Sequence, residues 1–429
     1  MAIDYIATYL KYTDDNECPK LFHRWTALSC LAAKLGRKVH FRFGHFNIYP
    51  NMYVLLIGSP GTKKSTGIKM GAKLLGDTGY DYFAAKKTRQ EKYLTDLAEQ
   101  FLNKGKDTSD VDLILDNLTL DEDYASEKSA ASNKAPAESF VTADEFNNFI
   151  GYNNVDFISI LGELWDYNGV FDYRLKNSDS IYINNPTINI LGGNTQVGLN
   201  SAFPPEIIGQ GFFSRLLLIY SDPSGKEIPF PLPPDESLKG DLVQFFSDVE
   251  DKLHGEMLLT DEARELMKII YTKWDSIDDP RFEHYSNRRF QHLIKLTMVI
   301  AASKLSMQIT KDVVIEANTV LTFAEQLMPR ALGEFGRSKN SAATHKILVF
   351  ITNKGMATFK EIFKVVSQDF DKREQVIEAI NSLLLADKIA VQETNSGRTI
   401  YLPKKKVLFD GEDGLVDWKY LTQEELNSY

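Results

Sequence analysis

The stretch Met52-Tyr53-Val54-Leu55-Leu56-Ile57-Gly58-Ser59-Pro60-Gly61-Thr62-Lys63-Lys64-Ser65 decides the fold of this chain. Its first six residues are apolar and β-prone, which predicts a buried parallel strand. A glycine-containing turn follows, and we expect a helix from Ser65 to about Leu75. Strand, turn and helix together form the first half of a βαβ unit.

The turn has the composition of a loop that binds phosphate groups. Such a loop directs backbone N–H groups inward around the phosphates, with a helix N-terminus behind them. Gly58 and Gly61 allow the curvature, Lys64 would contact the β- and γ-phosphates, and the Ser65 hydroxyl would bind Mg²⁺. Lys63 departs from the pattern, because a glycine usually precedes the lysine. The predicted ATP-binding residues are Gly58, Ser59, Pro60, Gly61, Thr62, Lys63, Lys64, Ser65 and Thr66.

An acidic pair lies at the end of the next apolar segment. Residues 139–145 read as a second core strand that ends in Asp144 and Glu145. Asp144 would hold Mg²⁺ through water, and Glu145 would polarise the attacking water, because phosphoryl transfer depends mainly on positioning and charge compensation. Alone, such a pair also fits a solvated turn or a helix cap. Its position after the glycine turn favours the catalytic interpretation.

Two later segments supply further candidates. Residues 188–195 form a predicted core strand with Asn194 at its polar tip, where an amide can orient the same water. Local sequence alone equally supports a turn after two glycines. Arg215 directly precedes the predicted strand 216–220, and an arginine from a neighbouring subunit can stabilise a transferring phosphate. An isolated arginine there is better explained by a surface salt bridge. The functional interpretation of Arg215 therefore depends on its place in the order of elements.

The remaining pattern divides the chain into segments. The predicted domains are an N-terminal helical segment (1–50), an α/β core with a parallel sheet (51–225) and an insertion at 79–137, a helical lid (226–340), a winged helix (341–405) and an acidic tail (406–429). The winged helix is expected because three amphipathic segments precede two short strands. Its basic residues Lys388, Arg398 and 404–406 suit DNA contact, but protein contact is equally open.

The composition restricts the class of protein. The chain has 429 residues and a formal net charge of −10, which argues against nucleic acid covering its whole surface but not against a narrow basic channel. The two cysteines, Cys18 and Cys30, suit a reducing compartment and do not form a zinc site. No signal peptide or membrane-spanning run is visible, so we expect a cytoplasmic protein without a membrane partner.

In this order the elements resemble AAA+ ATPases of the pre-sensor-1 hairpin branch, which includes the minichromosome maintenance helicases. The chain is also similar to a phage and prophage family of helicase-like P-loop proteins. The resemblance covers about residues 20–335. It rests on the glycine turn, Asp-Glu, the two-stranded excursion at 170–183, Asn194, Ser-Arg before a strand, and the helix that follows Arg288.

The resemblance implies a role for each matching residue. Asn194 would be sensor 1, Arg215 a trans-acting arginine finger, and Arg288 (or Arg289) the sensor 2 arginine. The excursion at 170–183 would be a hairpin in a central pore, where Arg174 and Lys176 contact the backbone of single-stranded DNA. An ordinary solvated hairpin is the alternative for these two residues. A trans-acting arginine also implies self-association, and we expect a hexameric ring.

The preferred interpretation is an enzyme that couples ATP hydrolysis, with Mg²⁺, to movement on DNA: a replicative helicase of a phage or mobile element in the bacterial cytoplasm. One alternative is an ATP-switched initiator or helicase loader, which would not displace a strand. Another is an AAA+ remodelling or defence ATPase, whose rate would not respond to DNA. The winged helix or the acidic tail offers a surface for a replication protein partner.

Overall fold

The structure is a computed structural model in which most of the chain is described. The described residues are 4–99, 131–132, 135–174, 180–204, 207, 211–274, 277, 279–333, 339–370, 372–385, 388–393, 398–403 and 414–428. They form two compact units: Met1–Gly333 together with Gly414–Tyr429, and Glu334–Asp413. The chain is a mixed α/β protein with a parallel sheet, as predicted.

The first unit is organised by a four-stranded parallel sheet. In chain order its strands are β3 (Tyr53–Ile57), β4 (Glu138–Ala143), β7 (Thr187–Asn194) and β8 (Leu216–Tyr220). Their spatial order is β4-β7-β3-β8, and all three pairings are parallel. Every residue of β3 and β7 is buried, because helices cover both faces of a parallel sheet and leave no solvated side.

Parallel pairing gives this sheet two different edges. The strands end at the loop edge, where Ile57, Ala143, Asn194 and Tyr220 lie. They begin at the arginine edge, where Arg215 directly precedes β8. Each five-residue strand separates the two edges by roughly 16 Å.

Helices before and after the first strands pack around the sheet. They are α1 (Tyr5–Tyr12), α2 (Lys20–Leu35), α3 (Lys64–Gly76) and α4 (Gln90–Glu99). All of α2 is buried, as a helix between other layers must be. Its charged residues keep partners: Lys20 pairs with Asp14, and Arg24 pairs with Glu425. Between α2 and β3 lies the antiparallel hairpin of β1 (Val39–Phe43) and β2 (Phe46–Ile48).

Short elements connect the core strands. After β4 come α5 (Phe146–Ile150) and α6 (Val155–Leu164), and after β7 comes α7 (Gln196–Ala202). The predicted excursion is present as an antiparallel pair, β5 (Val170–Tyr173) with β6 (Ile181–Asn184). Because β6 leads directly into the first residue of β7, this hairpin starts from the arginine edge.

The segment predicted as a helical lid is mainly helical. Its helices are α8 (Glu236–Lys252), α9 (Asp261–Lys273), α10 (Glu283–Ser286), α11 (Arg289–Ser303) and α12 (Lys311–Leu332). The described residues of this segment also form three short strands. The strand β10 (Leu258–Leu259) pairs in parallel with β11 (Gln308–Ile309), and β9 (Gly255–Glu256) pairs in parallel with β1. The segment does not stand apart as a lid, because α12 packs against β8 and belongs to the first unit.

The second unit contains the helices and strands expected for it. They are α13 (Lys339–Lys354), β12 (Ala357–Thr358), α14 (Phe359–Val366), α15 (Arg373–Leu385), β13 (Ile389–Glu393) and β14 (Thr399–Pro403). The short strand β12 pairs with β14 and extends the predicted two strands to three. Ile347, Ile362 and Ile380 from the three helices share one buried core.

The prediction of a separate acidic tail was wrong for those of its residues that the structure describes. Residues 414–428 belong to the first unit, where α16 (Gln423–Leu426) places Glu425 in a buried ion pair with Arg24. Trp418 packs edge-on against Phe323 of α12. These acidic side chains have cationic partners in the fold and are therefore not a solvated tail. None of the described helices is both long and apolar enough to cross a membrane.

Candidate active site

The glycine loop, residues 58–63, leaves β3 and curves directly into α3. Gly61 has a φ of 87°, in the left-handed region that favours glycine. Gly58 is required for a different reason: a Cβ there would lie 2.8 Å from the carbonyl oxygen of Ser221. No side chain caps the N-terminus of α3, so its first backbone N–H groups remain available to an anion.

Lys63, which departs from the usual pattern, also has a left-handed backbone with φ of 58°. Its side chain turns away from the loop and forms an ion pair with Glu17 at 2.8 Å. A non-glycine residue with positive φ costs on the order of 1 kcal/mol. The loop therefore keeps the conformation that a glycine would favour, and the Lys63 side chain is accommodated outside it.

Lys64 folds its ammonium group back across the glycine loop. Its Nζ donates to the carbonyl oxygens of Gly58 and Ser59, each at 2.9 Å. Burial lowers the pKa of Lys64, and the negative charge of Glu145 opposes that shift. A half-buried ammonium held only by backbone carbonyls is well placed to exchange them for the oxygens of an anionic ligand.

Asp144 and Glu145 follow β4 at the same edge. Asp144 forms an ion pair with Lys69 of α3 at 2.9 Å. Gly193 of β7 must be glycine here, because a Cβ would lie 2.6 Å from the carbonyl oxygen of Asp144. Glu145 is the exposed N-cap residue of α5, and no side-chain cap bond engages it. The two carboxylates thus differ: Asp144 faces α3, whereas Glu145 is exposed to solvent.

Asn194 connects the two sides of this edge. Its backbone oxygen accepts from the N–H of Gly58 at 3.3 Å, and its side-chain Nδ2 donates to Asn147 Oδ1 at 2.7 Å. Asn147 also donates to the carbonyl oxygen of Gly198 at 2.9 Å, which fixes its orientation. Because β7 lies between β3 and β4, Asn194 sits between the glycine loop and the acidic pair. The predicted residues therefore converge at the loop edge.

The same residues fit a magnesium ion that is shared with phosphate oxygens. Mg²⁺ typically keeps several waters and takes one or two carboxylates plus substrate phosphates. Ser65 at the start of α3 would offer its hydroxyl, and Asp144 would offer a carboxylate that now pairs with Lys69. Among the described residues no group of three or more His, Cys, Asp or Glu side chains is placed to hold a metal by itself.

Arg215 and Arg288 do not join this group, because they lie at the arginine edge. Arg288 Nε donates to the Ser214 hydroxyl at 3.0 Å, which holds it beside Arg215. Their guanidinium carbons lie 5.8 Å and 5.7 Å from the ring centre of Trp165. Within one chain, neither arginine is near Lys64, since the full length of β8 separates the two edges.

The arginine edge carries more positive than negative charge. Lys295 lies 4.2 Å from the centre of the Trp165 ring and pairs with Asp166 at 2.9 Å. Among the described side chains at this cluster, Asp166 is the carboxylate that faces Lys295, Arg215 and Arg288 together. Burial, together with the charge of Arg288, lowers the pKa of Arg215, and burial also lowers the pKa of Arg288 and Lys295. An anion would relieve this repulsion.

Arg289, the alternative to Arg288, has a different environment. It is buried, pairs with Glu325 at 2.9 Å and donates to Asn318 and Thr322. Tyr285 donates to the same Glu325 carboxylate at 2.8 Å. All these partners are internal, so Arg289 stabilises the packing of α11 on α12, whereas Arg288 lines a solvent-open cleft of about 440 Å³.

The hairpin β5–β6 is described up to Arg174, whose side chain is exposed. Lys176, the other predicted DNA contact, lies outside the described residues, as do 404–406. Tyr173, the residue before Arg174, is half-buried and accepts a hydrogen bond from Gln90 of α4 at 3.0 Å. That contact ties the hairpin to α4 and leaves Arg174 as its described basic residue.

Sequence reasoning did not identify Asn147, Trp165, Asp166 or Lys295. Each acquires its position through contacts with distant segments, and no spacing in the sequence signals them.

No protein-family model matches the chain, and no curated protein matches it either.

Proposed function

We propose that this chain is an AAA+ type ATPase, with a P-loop core and a C-terminal winged helix, that assembles head to tail and acts as an ATP-driven motor on DNA. The observation that carries the proposal is the convergence of Lys64, Asp144, Glu145 and Asn194 at one edge of the sheet, beside an uncapped helix N-terminus. That edge offers donors for phosphates, ligands for Mg²⁺ and a carboxylate for water.

Each residue has one task in this proposal. Lys64 and the first N–H groups of α3 would bind the phosphates. Ser65 and Asp144 would hold Mg²⁺, and the ion would supply positive charge against the phosphate oxygens. Glu145 accepts a hydrogen bond from the attacking water. Asn147 holds the amide of Asn194, so that its remaining N–H can orient the same water.

The arginine edge completes this site from a second copy of the chain. Arg215 and Arg288 are too far from their own glycine loop, yet they form a basic pair with a surplus of charge. A head-to-tail contact would bring the pair of one copy to the loop edge of the next. Repetition of such a contact produces a ring when the rotation closes, and a hexamer is the expected form.

We propose the hairpin β5–β6 as the DNA contact, because it starts from the arginine edge and carries the exposed Arg174.

The decisive experiment measures ATP turnover with and without single-stranded DNA, together with particle mass and strand displacement on a forked duplex. A motor shows DNA-stimulated turnover, a ring-sized mass and displacement. Stimulation without displacement would indicate a loader or initiator, and turnover unaffected by DNA would contradict the DNA function altogether.

A further inference from the structure

An apolar groove lies beside the arginine edge. It has a volume of about 690 Å³ and runs between the β1–β2 hairpin and helices α9 and α11. Phe43, Tyr271 and Phe290 line it, and the Tyr271 and Phe290 rings meet edge to face at 4.9 Å. Tyr271 is 68% exposed and Phe43 is 43% exposed, which is costly for aromatic side chains without a covering partner.

The groove is continuous with the cleft of Arg288. Phe43, Tyr271 and Phe290 line both spaces, so an object seated in the groove would also approach Arg288. The charged side chains that line the groove are all basic: Arg42, Arg264 and Lys268. Lys268 has an acidic neighbour, Glu265, at 2.7 Å. The groove therefore suits an apolar segment with acidic flanks.

A segment of that description projects from the opposite side of the same unit. Residues 228–234 read Ile-Pro-Phe-Pro-Leu-Pro-Pro, and within them Phe230 is 89% exposed and Leu232 is 72% exposed. Glu227 precedes this proline-flanked segment and residues 235–236, Asp-Glu, follow it. Proline restricts the unbound chain, so docking of such a segment costs less conformational entropy than docking of a flexible one.

This segment is attached to the loop edge. The N–H of Ile228 donates to the carboxylate of Glu17 at 3.0 Å, and that same carboxylate forms the ion pair with Lys63 of the glycine loop. The N–H of Leu232 donates to a carboxylate oxygen of Asp15. Phe230 and Leu232 therefore project next to the proposed nucleotide site, whereas the groove lies next to Arg215 and Arg288.

We propose that Phe230 and Leu232 of one copy dock in the groove of Phe43, Tyr271 and Phe290 of the next copy. The inference rests on the proposed function, in which the arginine edge of one copy faces the loop edge of its neighbour. Within one chain the two surfaces lie at opposite edges of the sheet, so they meet only between copies. Apolar contact and opposite flanking charges would hold Arg215 at the neighbouring site.

The first test substitutes an exposed apolar residue with a charged one. Phe230→Asp in the full chain should abolish the ring-sized mass seen with a non-hydrolysable ATP analogue and reduce turnover at least 100-fold. Val391→Asp is the matched control, because Val391 is 53% exposed but lies in the second unit. If Phe230→Asp assembles like the unmodified protein, the docking inference is overturned.

The second test traps the contact directly. Cys18 and Cys30 are buried, and burial raises the pKa of both thiols, so introduced cysteines face little competition. A mixture of Phe230→Cys and Tyr271→Cys copies should form a mixed disulfide-linked dimer on oxidation. A disulfide between two Phe230→Cys copies instead would indicate a symmetric contact and contradict the head-to-tail docking.

Binding of the ATP analogue separates this inference from the function on which it rests. Phe230→Asp leaves Lys64 and the acidic pair in place, so each monomer should still bind the analogue. If binding persists and the unmodified protein stays monomeric, the docking inference fails while the nucleotide site stands. If the unmodified protein binds no nucleotide, the proposed function itself fails.

Discussion

The two edges of the central sheet differ in what they lack. The loop edge combines a lysine, two carboxylates and an uncapped helix N-terminus. An arginine of the same chain, Arg330, also reaches this edge, where it pairs with Asp222 and lies 4.6 Å from the centre of the Tyr220 ring. The arginine edge combines Arg215, Arg288 and Lys295 around Trp165. Among the described side chains, Asp166 is the carboxylate that faces this cluster, and the edge has no glycine loop. Each edge supplies the type of charge that the other needs.

This difference teaches that a parallel sheet separates residues that belong to consecutive strands of the chain. Asn194 ends β7, whereas Arg215 directly precedes β8, the next core strand. Because parallel strands all point the same way, the end of one strand and the start of another lie at opposite edges. Cooperation between the two groups therefore requires a second molecule.

The largest expected effect concerns the loop edge. Lys64→Ala should lower the rate of ATP hydrolysis by about 10³-fold or more and weaken ATP binding, because the variant leaves the phosphate charge uncompensated. Turnover and fluorescence-detected nucleotide binding are the measurements. Lys73→Ala on the same helix is the control, since Lys73 is exposed and pairs with Asp77. Normal turnover by Lys64→Ala would remove the site from this edge.

Glu145→Gln tests the second half of the same edge. The amide keeps the size of the side chain but cannot accept the proton of water, so hydrolysis should fall by about 10²–10⁴-fold while nucleotide binding persists. Equilibrium binding and single-turnover hydrolysis measured on one sample distinguish the two. A variant that hydrolyses at the normal rate would show that another residue positions the water.

The arginine edge is tested by subunit mixing. Arg215→Ala should reduce turnover by about 10³-fold, the typical contribution of an arginine finger. A mixture of Arg215→Ala and Lys64→Ala copies should recover part of the activity, because some contacts pair an intact arginine with an intact lysine. Arg215→Lys keeps the charge but loses the planar fork, and should be intermediate. A monomer with full turnover would contradict the comparison between the edges.

A smaller effect is expected at the hairpin that starts from the arginine edge. Arg174→Ala with Lys176→Ala should lower the salt slope of single-strand binding by about 1.4, or 0.7 for each lost phosphate contact, and leave basal turnover unchanged. Lys388→Ala with Arg398→Ala in the second unit is the matched variant. Truncation from Ser341 is unsuitable, because it would remove Glu425, the buried partner of Arg24. If only the second pair weakens binding, the hairpin is not the DNA contact.

The smallest effect concerns the charge balance of the arginine edge. Asp166→Asn removes the partner of buried Lys295, which also donates to Tyr49 and Asn51. Loss of a buried ion-pair partner is costly, but Asp166 is 31% exposed, so we expect a loss of about 1 kcal/mol in unfolding free energy. Urea unfolding measures it, and nucleotide binding at the loop edge should not change. A change in that binding would mean that the edges are coupled within one chain.

The sequence predicted local elements well for a physical reason. The strands β3, β4, β7 and β8 are apolar runs bounded by glycine or polar residues, and such runs identify buried strands without reference to the rest of the chain. Prediction was weaker wherever packing decides the outcome. The acidic residues after 413 suggested a solvated tail, but Glu425 is buried because α2 offers Arg24 at the matching position.

The candidate site shows the same division. Lys64 follows a predicted strand by one turn, and Asp144, Glu145 and Asn194 stand at the ends of predicted strands. Their meeting at one edge therefore follows from parallel pairing alone. Asn147 joined them without a sequence signal, because its role depends on a contact with the amide of Asn194, which ends the strand next to β4. Such a contact has no fixed separation along the chain.

By itself, then, the sequence determined the strand–loop–helix unit, the places where strands end, and which polar residues stand there, because these depend on neighbouring residues. Tertiary structure decided that Arg288 joins Arg215 and that Arg289 is buried against Glu325. It also placed the apolar groove beside the arginine edge and the segment of Phe230 beside the loop edge. These outcomes depend on strand order and helix packing, which bring together residues that are far apart in the chain.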